Sequence, residues 1–393
     1  MKKRLNKIKL LLNMKITTKS LFSLLLFSFF ILNFSAQEIY FPESGNWEEK
    51  DPATFSLDFS EAVQFAEANE YSESKDLRQA ILKGFQHEPY HEILGPTKRR
   101  GGPAGMILKD GYLVAKWGDT KRVDMTFSVT KSFLSTTALL AFDKNLIADL
   151  EDRVVNYVWD DTFEGEHNSK ITWKHLLEQN SDWSGELWGS YDWADRPSQE
   201  ETIDDWRNRE LHEPGTHFKY NDVRVNVLAY SLLNVFRKPL PTVLKEEIMD
   251  PINASSSWRW LGYENSWATI DGFKMQSVSG GGHSGGGMFI NTEDMARFGL
   301  LFMNNGNWNR EQLISEDLIE EAVQPSATNP NYGYMWWLNV DGPRQWKNRD
   351  KDIFYAAGFG GNFIIVDRKE NLVIVTRWLE PSKVEEFIHK IYN

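Results

Sequence analysis

Ser128 and Lys131 stand three residues apart in Thr126-Phe127-Ser128-Val129-Thr130-Lys131-Ser132-Phe133, at the head of an apolar run that continues to Phe142. Such a run reads as a buried helix, and residues i and i+3 share a helix face. Lys131 is therefore expected beside Ser128 in hydrocarbon, where a charged ammonium is costly and its pKa should fall. An amine tuned in this way can take the serine proton, so Ser128 is a candidate nucleophile for acyl transfer. The spacing alone is a weak signal. Ser72-Glu73-Ser74-Lys75 repeats it in a polar run that cannot desolvate a lysine, and a helix N-terminus with a snorkelling lysine is the bland explanation of the first copy.

Two other stretches spell catalytic motifs. Gly282-His283-Ser284-Gly285-Gly286 fits the nucleophile elbow of α/β-hydrolases, with His389 as the only downstream histidine, but an elbow needs a helix directly after its serine and glycines stand there instead. So many glycines argue for a backbone passing close to another element, and His283 among them would border a cleft. His87-Glu88-Pro89-Tyr90-His91 spells the zinc-protease pattern His-Glu-x-x-His. That pattern works only on a continuous helix, which Pro89 interrupts, so no metal is assigned, and no cofactor is expected.

The elements that must position Ser128 are legible on both sides of it. Gly105–Leu108 and Tyr112–Trp117 flank Lys109-Asp110-Gly111, a hairpin signal. Thr172 is placed to cap a helix. Asp222 is placed to cap another over Val223–Leu233, leaving Tyr220 just outside it with its phenol free to face a cavity. Tyr332–Leu338 reads as a strand, 362–366 and 372–378 as a second hairpin, and 384–392 as a closing helix. Strands at both ends with helical sequence between them predict an α/β (α+β) fold: an antiparallel sheet built from both ends of the chain, flanked by helices, with a mainly helical lobe inserted at about 145–280.

The 393 residues suit one large domain or two packed ones. Seven cations precede an apolar run at Leu21–Phe34 followed by Ser35-Ala36-Gln37, the order of a secretory signal cleaved after Ala36. The expected division is thus a signal over 1–36, an N-terminal extension over 37–100 and a catalytic domain over 101–393, periplasmic or secreted. The apolar run is short for a membrane span, and with no cysteine there is no disulfide. The formal charge is −12, and removing the leader's seven cations brings it to about −19, a field that repels phosphate backbones and excludes nucleic acid as a partner. The 16 Trp, 24 Phe and 13 Tyr exceed what a core needs. Those in polar loop context, Trp183, Trp188 and Trp193, are expected to line a groove.

Taken together, these stretches resemble the β-lactamase-related serine hydrolases: class C β-lactamases, D-alanyl-D-alanine carboxypeptidases and other penicillin-binding-protein-like members, esterases of that fold and 6-aminohexanoate-dimer hydrolase. Phe127-Ser128-Val129-Thr130-Lys131-Ser132 looks like the first motif of that family. Pro214-Gly215-Thr216 and Tyr220-Asn221-Asp222 are similar to the second, Gly285-Gly286-Gly287-Met288 to its glycine segment, and Ala356-Ala357-Gly358 stands where the third is expected. The resemblance implies Ser128 as the acylated nucleophile, Lys131 with Tyr220 as the proton-transfer pair, and the N–H groups of Ser128 and Phe359 as the oxyanion hole. It places Asp222, Ala356, Gly358, His283 and Trp188 in the substrate-binding region. Asp222 replaces an amide or hydroxyl, and serves as a cap or attracts a cationic substrate group. Ala356 replaces a basic residue, which argues against penicillins and peptides ending in D-alanine and leaves amino-acid oligomers, small esters and amides open; the expected substrate is a small ester, amide or short peptide-like molecule. A catalytically silent relative that binds peptidoglycan or another ligand in the same groove is the alternative from a different class.

Overall fold

The outer strands of the two terminal hairpins pair with each other: Ala104–Lys109 runs antiparallel to Leu372–Arg377, with Ile107 opposite Ile374. This computed structural model describes residues 39–342 and 344–392, so the leader expected over 1–36 lies outside the described residues. The resulting six-stranded antiparallel sheet runs Trp337–Leu338, Phe354–Gly358, Asn362–Asp367, Leu372–Arg377, Ala104–Lys109, Tyr112–Trp117. The hairpin tips are tied together, Asp110 N donating to Asn371 O at 3.0 Å and Asn371 Nδ2 to Asp110 Oδ1 at 2.9 Å. The Thr292–Met303 helix packs on one face, where Gly299 lies against Val373 and Ile364. The Val384–Ile391 helix covers the other, with Phe387 against Trp117. Burial on both faces explains why Leu372–Arg377 shows no polar alternation. The expected fold class is the one observed.

Two helices cross beneath the site. Thr130–Asp143 is buried at every position from Thr130 to Ala141 and packs on Asp222–Phe236. The cap of the latter is Asn221 rather than Asp222: its side chain accepts from Arg224 N at 3.0 Å, and Asp222 becomes the first helical residue with its carboxylate free for other work. A second sheet, ordered Asp124–Met125, Gly287–Ile290, Arg259–Ile270, Phe273–Val278, was not anticipated. Its hairpin occupies the end of the stretch expected to be helical, although Asp271-Gly272 at its turn is a hairpin signal. Of the strand expected over 332–338, only Trp337–Leu338 joins the sheet, because the chain turns back on itself where Gly333 N donates to Trp336 O.

The segment before residue 101 is woven into the rest. Tyr71 N donates to Trp378 O at 2.7 Å and Glu380 N to Asn69 O at 2.9 Å. Buried Arg100 donates to the carbonyls of Tyr71 and Glu73 at 2.6 and 2.8 Å. Tyr71, Leu77 and Ile81 share one apolar cluster with Met125, Phe127, Phe289 and Trp378, against which Phe85 and Phe359 pack. This segment therefore supports Phe127, directly before Ser128, and Phe359.

Candidate active site

Ser128 lies in a 3-10 turn, Phe127–Val129, that feeds the Thr130–Asp143 helix. Phe127 has φ 49°, left-handed backbone that costs an aromatic residue strain and is tolerated only where its surroundings enforce it. Thr126 N donates to Met288 O at 2.9 Å, and the Phe127 ring packs 5.1 Å from that of Phe359. The helical spacing puts Lys131 Nζ 3.0 Å from Ser128 Oγ, as a donor.

Lys131 is buried, but it is not the low-pKa amine expected. Its Nζ donates to Asp222 Oδ1 at 2.6 Å. Burial works to lower its pKa, and the facing charge of Asp222 and then Tyr220 outweigh it, so the net shift is upward. Burial likewise opposes ionisation of Asp222, yet Lys131, then Arg196 and His283, hold its carboxyl far below the usual carboxylate range. Desolvation was read correctly from the apolar run; the counter-ion came from a helix remote in sequence.

Linkage fixes the pH window of this pair. The depressed carboxyl contributes stability above its unfolded value of about 3.9 and loses it as pH falls through the folded value; the raised ammonium contributes below about 10.4 and loses it as pH rises. The pair is thus expected to contribute fully from about pH 4 to pH 10. Denaturant unfolding at pH 7 and pH 3 should show a larger acid loss in the wild type than in Asp222→Asn; equal losses would contradict the assignment.

Arg196, which nothing in the sequence singled out, closes the network. Its Nη1 lies 2.6 Å from Asp195 Oδ1 and 2.7 Å from Asp222 Oδ2, the latter without hydrogen-bond alignment. Asp195 also accepts from Asp222 N. Tyr220 lies over both cations, with Lys131 Nζ 4.6 Å and the Arg196 guanidinium carbon 5.1 Å from its ring centroid, and it stacks on Trp337. The glycine run passes directly over this assembly: a Cβ on Gly281 would meet Asp222 Oδ1 at 1.7 Å and Lys131 Nζ at 2.4 Å, so only glycine fits there.

Opposite Ser128 runs the Phe354–Gly358 strand. A Cβ on Gly358 would meet Thr126 O at 2.2 Å and Ser128 N at 3.3 Å, which places the strand end, and Phe359 after it, beside the serine backbone. Gly358→Ala is expected to push the strand away from Ser128 and slow acylation by roughly 10²–10³-fold, the scale of a lost oxyanion donor. Stopped-flow acylation rates check this; a change under about threefold would separate Phe359 N–H from the oxyanion site.

The model of the Beta-lactamase family matches residues 91–378. The chain belongs to the beta-lactamase family. Among solved structures, one described as a 6-aminohexanoate-dimer hydrolase from Bacillus anthracis is 16% identical with TM-score 0.56, covering 90% of this chain and 88% of that one. A family VIII carboxylesterase is 17% identical with TM-score 0.53, covering 80% and 96%. In sequence, the N-acetylmuramyl-L-alanine amidase of Bacillus subtilis (strain 168) is 22% identical over 199 residues, 42% of this chain and 44% of that protein. The chain thus spans less than half the length of that curated relative.

In this beta-lactamase-family chain two cavities lie on either side of Arg196 and Asp222. One, of about 580 Å³, is lined by Ser128, Tyr220, Arg196, Arg344, Ala357, Gly358 and Phe359 among others. The second, of about 430 Å³, is lined by Trp188, Asp222, His283 and Ser284 among others. The residues expected around substrate are therefore divided. Ser128, Tyr220, Gly358 and Phe359 share the first cavity. Trp188 and His283 border only the second, and Asp222 is occupied by Lys131 rather than offered to a cationic ligand. Ala356 is 1% exposed; strand alternation turns it into the core and presents Ala357 instead. Trp183 is buried and donates to Thr162 O, while Trp193 stacks on Tyr191. Ser284 is no elbow: no helix follows it until Thr292–Met303, capped by Asn291. Among the described residues, no helix is long and apolar enough to cross a membrane.

Proposed function

We propose that this protein is an exported serine hydrolase that cleaves an ester or amide through an acyl-enzyme on Ser128. The observation that carries the reading is the serine hydroxyl 3.0 Å from a buried lysine, on the wall of a cavity that also holds Tyr220. Lys131, kept an ammonium by Asp222, donates to Ser128 Oγ and stabilises negative charge there as attack proceeds. Tyr220, which lines the same cavity, relays the proton: its phenol oxygen takes the serine proton as its own O–H proton passes to the leaving group. The N–H groups of Ser128 and Phe359 receive the oxyanion, and water releases the acyl group by the reverse route.

The lining of the first cavity narrows the substrate. It carries the guanidinium of Arg344 beside that of Arg196, which is already paired with Asp195 and Asp222, aromatic walls at Phe218, Tyr220, Trp337 and Phe359, and, among the described residues, no carboxylate side chain. An acyl group bearing a negative charge on a partly apolar body suits it, so the cation missing at Ala356 is replaced from other loops. Ester chemistry draws support from the carboxylesterase neighbour and amide chemistry from the amidase relative. The test is a panel of p-nitrophenyl esters, amides and nitrocefin, with intact-mass detection of an acyl adduct. Turnover of an ester or amide with a transient adduct on Ser128 is expected. Absence of turnover and adduct across the panel would favour a silent binding relative instead.

A further inference from the structure

We propose that Glu88, His91 and His283 form a binding site for a divalent ion of the zinc class, opening on the second cavity. The juxtaposition is not the helical zinc-protease arrangement that residues 87–91 spell. Those residues form turns, as Pro89 requires, and the third group arrives from the glycine run. One ligand atom from each of the three side chains lies within 4.8 Å of the other two. Ligand atoms around a tetrahedral zinc at about 2.0–2.2 Å stand roughly 3.3–3.6 Å apart, so small side-chain shifts close the site.

His91 is the side chain that otherwise lacks a purpose. It is 6% exposed, its Nε2 is buried without a hydrogen-bond partner among the described residues, and its Nδ1 stands 3.7 Å from Glu88 Oε2, beyond hydrogen-bond reach. An imidazole buried without hydrogen bonds costs free energy that an apolar residue would not, and a metal supplies the missing partner. His283 Nε2 is 2.5 Å from Glu88 Oε2 and 3.8 Å from Asp195 Oδ1. Two carboxylates thus converge on one ring nitrogen. When the ion takes Nε2, the ring proton moves to Nδ1, where Asp222 Oδ2 at 3.6 Å is the acceptor, the carboxylate behind the imidazole that metal-bound histidines use. The Arg196 contact to Nδ1, 3.2 Å now, loosens in exchange. Phe85 lies against the site, its ring 4.0 Å from that of His283, and Glu88, His91 and His283 all line the second cavity, which gives water or a ligand access. Asp195, Asp222 and His283 make a rival trio, but Arg196 and Lys131 already engage those carboxylates.

The experiment uses purified full chain, stripped with chelator and titrated with Zn²⁺ by calorimetry and with Co²⁺ by visible absorption. One equivalent is expected, with the strong d–d bands of four-coordinate cobalt. His91→Ala and Glu88→Gln should each weaken binding beyond the ~10–100-fold that outer-shell partners cost. His91→Cys should retain cobalt and add a thiolate charge-transfer band, an outcome that a misfolded variant cannot give. The rings of His212 and His217 stack 4.2 Å apart and offer a competing surface site. Binding abolished by His212→Ala with His217→Ala, binding indifferent to His91→Ala, or less than a tenth of an equivalent bound would each overturn the proposal.

Discussion

Ser128→Ala is expected to abolish labelling by a fluorophosphonate probe and to lower kcat/KM for any acyl substrate by roughly 10⁴-fold or more, the scale seen when a nucleophile that acts in concert with its partners is removed. The fold should survive, because the Ser128 hydroxyl accepts from Lys131 Nζ, and Lys131 keeps its shorter contact to Asp222. The informative comparison is Ser284→Ala, which removes the hydroxyl of the other serine motif and should leave labelling intact. Undiminished labelling of Ser128→Ala, or labelling lost only in Ser284→Ala, would move the chemistry away from Lys131 altogether. Lys131→Ala separates the two steps: it should retain the serine but lose most of its acylation rate, since the ammonium that stabilises the developing alkoxide is gone.

Asp222→Ala is expected to be the most damaging single change to stability among the site residues. It leaves the Lys131 ammonium buried, 1% exposed, with no carboxylate in contact. Removing one partner of a buried ion pair costs about 3–5 kcal/mol, a large fraction of the ~5–15 kcal/mol that holds a domain folded. The urea midpoint should fall at nearly constant m-value. Pairing the change with Lys131→Met should recover much of the loss, because an apolar pair carries no uncompensated charge. Asp222→Asn should fold better than Asp222→Ala, and its activity should fail at a lower pH on the basic side, since the largest influence that holds the Lys131 pKa up against burial is then gone. A cost under about 1 kcal/mol, or a basic limb that does not move, would mean that Lys131 is not held charged by Asp222.

Local pattern carried much of the architecture. The Asp110-Gly111 turn, the apolar run after Ser128 and the closing amphipathic helix each announce themselves within a dozen residues, and the structure has all three. The 259–278 hairpin escaped because its strands alternate imperfectly and carry several exposed residues, although its Asp-Gly turn was readable. Arg196 escaped for a different reason. An arginine in a polar loop is ordinarily solvated, and nothing in Trp193-Ala194-Asp195-Arg196-Pro197 tells that the loop folds back onto Asp222. The same holds for the N-terminal extension, whose short helical patterns and turns do not tell that Tyr71, Leu77 and Ile81 pack against Phe127.

What the chain by itself determined is what depends on neighbours in sequence: that Ser128 and Lys131 share a helix face, that the lysine is desolvated, and that both ends supply strands to one sheet. Which charge faces that lysine, which tyrosine covers it and which glycine lets a loop pass over it were decided only by tertiary packing. The sign of the Lys131 shift turned on that difference. Burial is a property of a local apolar run, whereas a counter-ion at 2.6 Å depends on where a helix 91 residues away comes to rest, and at Lys131 the attraction of Asp222 and Tyr220 outweighs the desolvation it opposes.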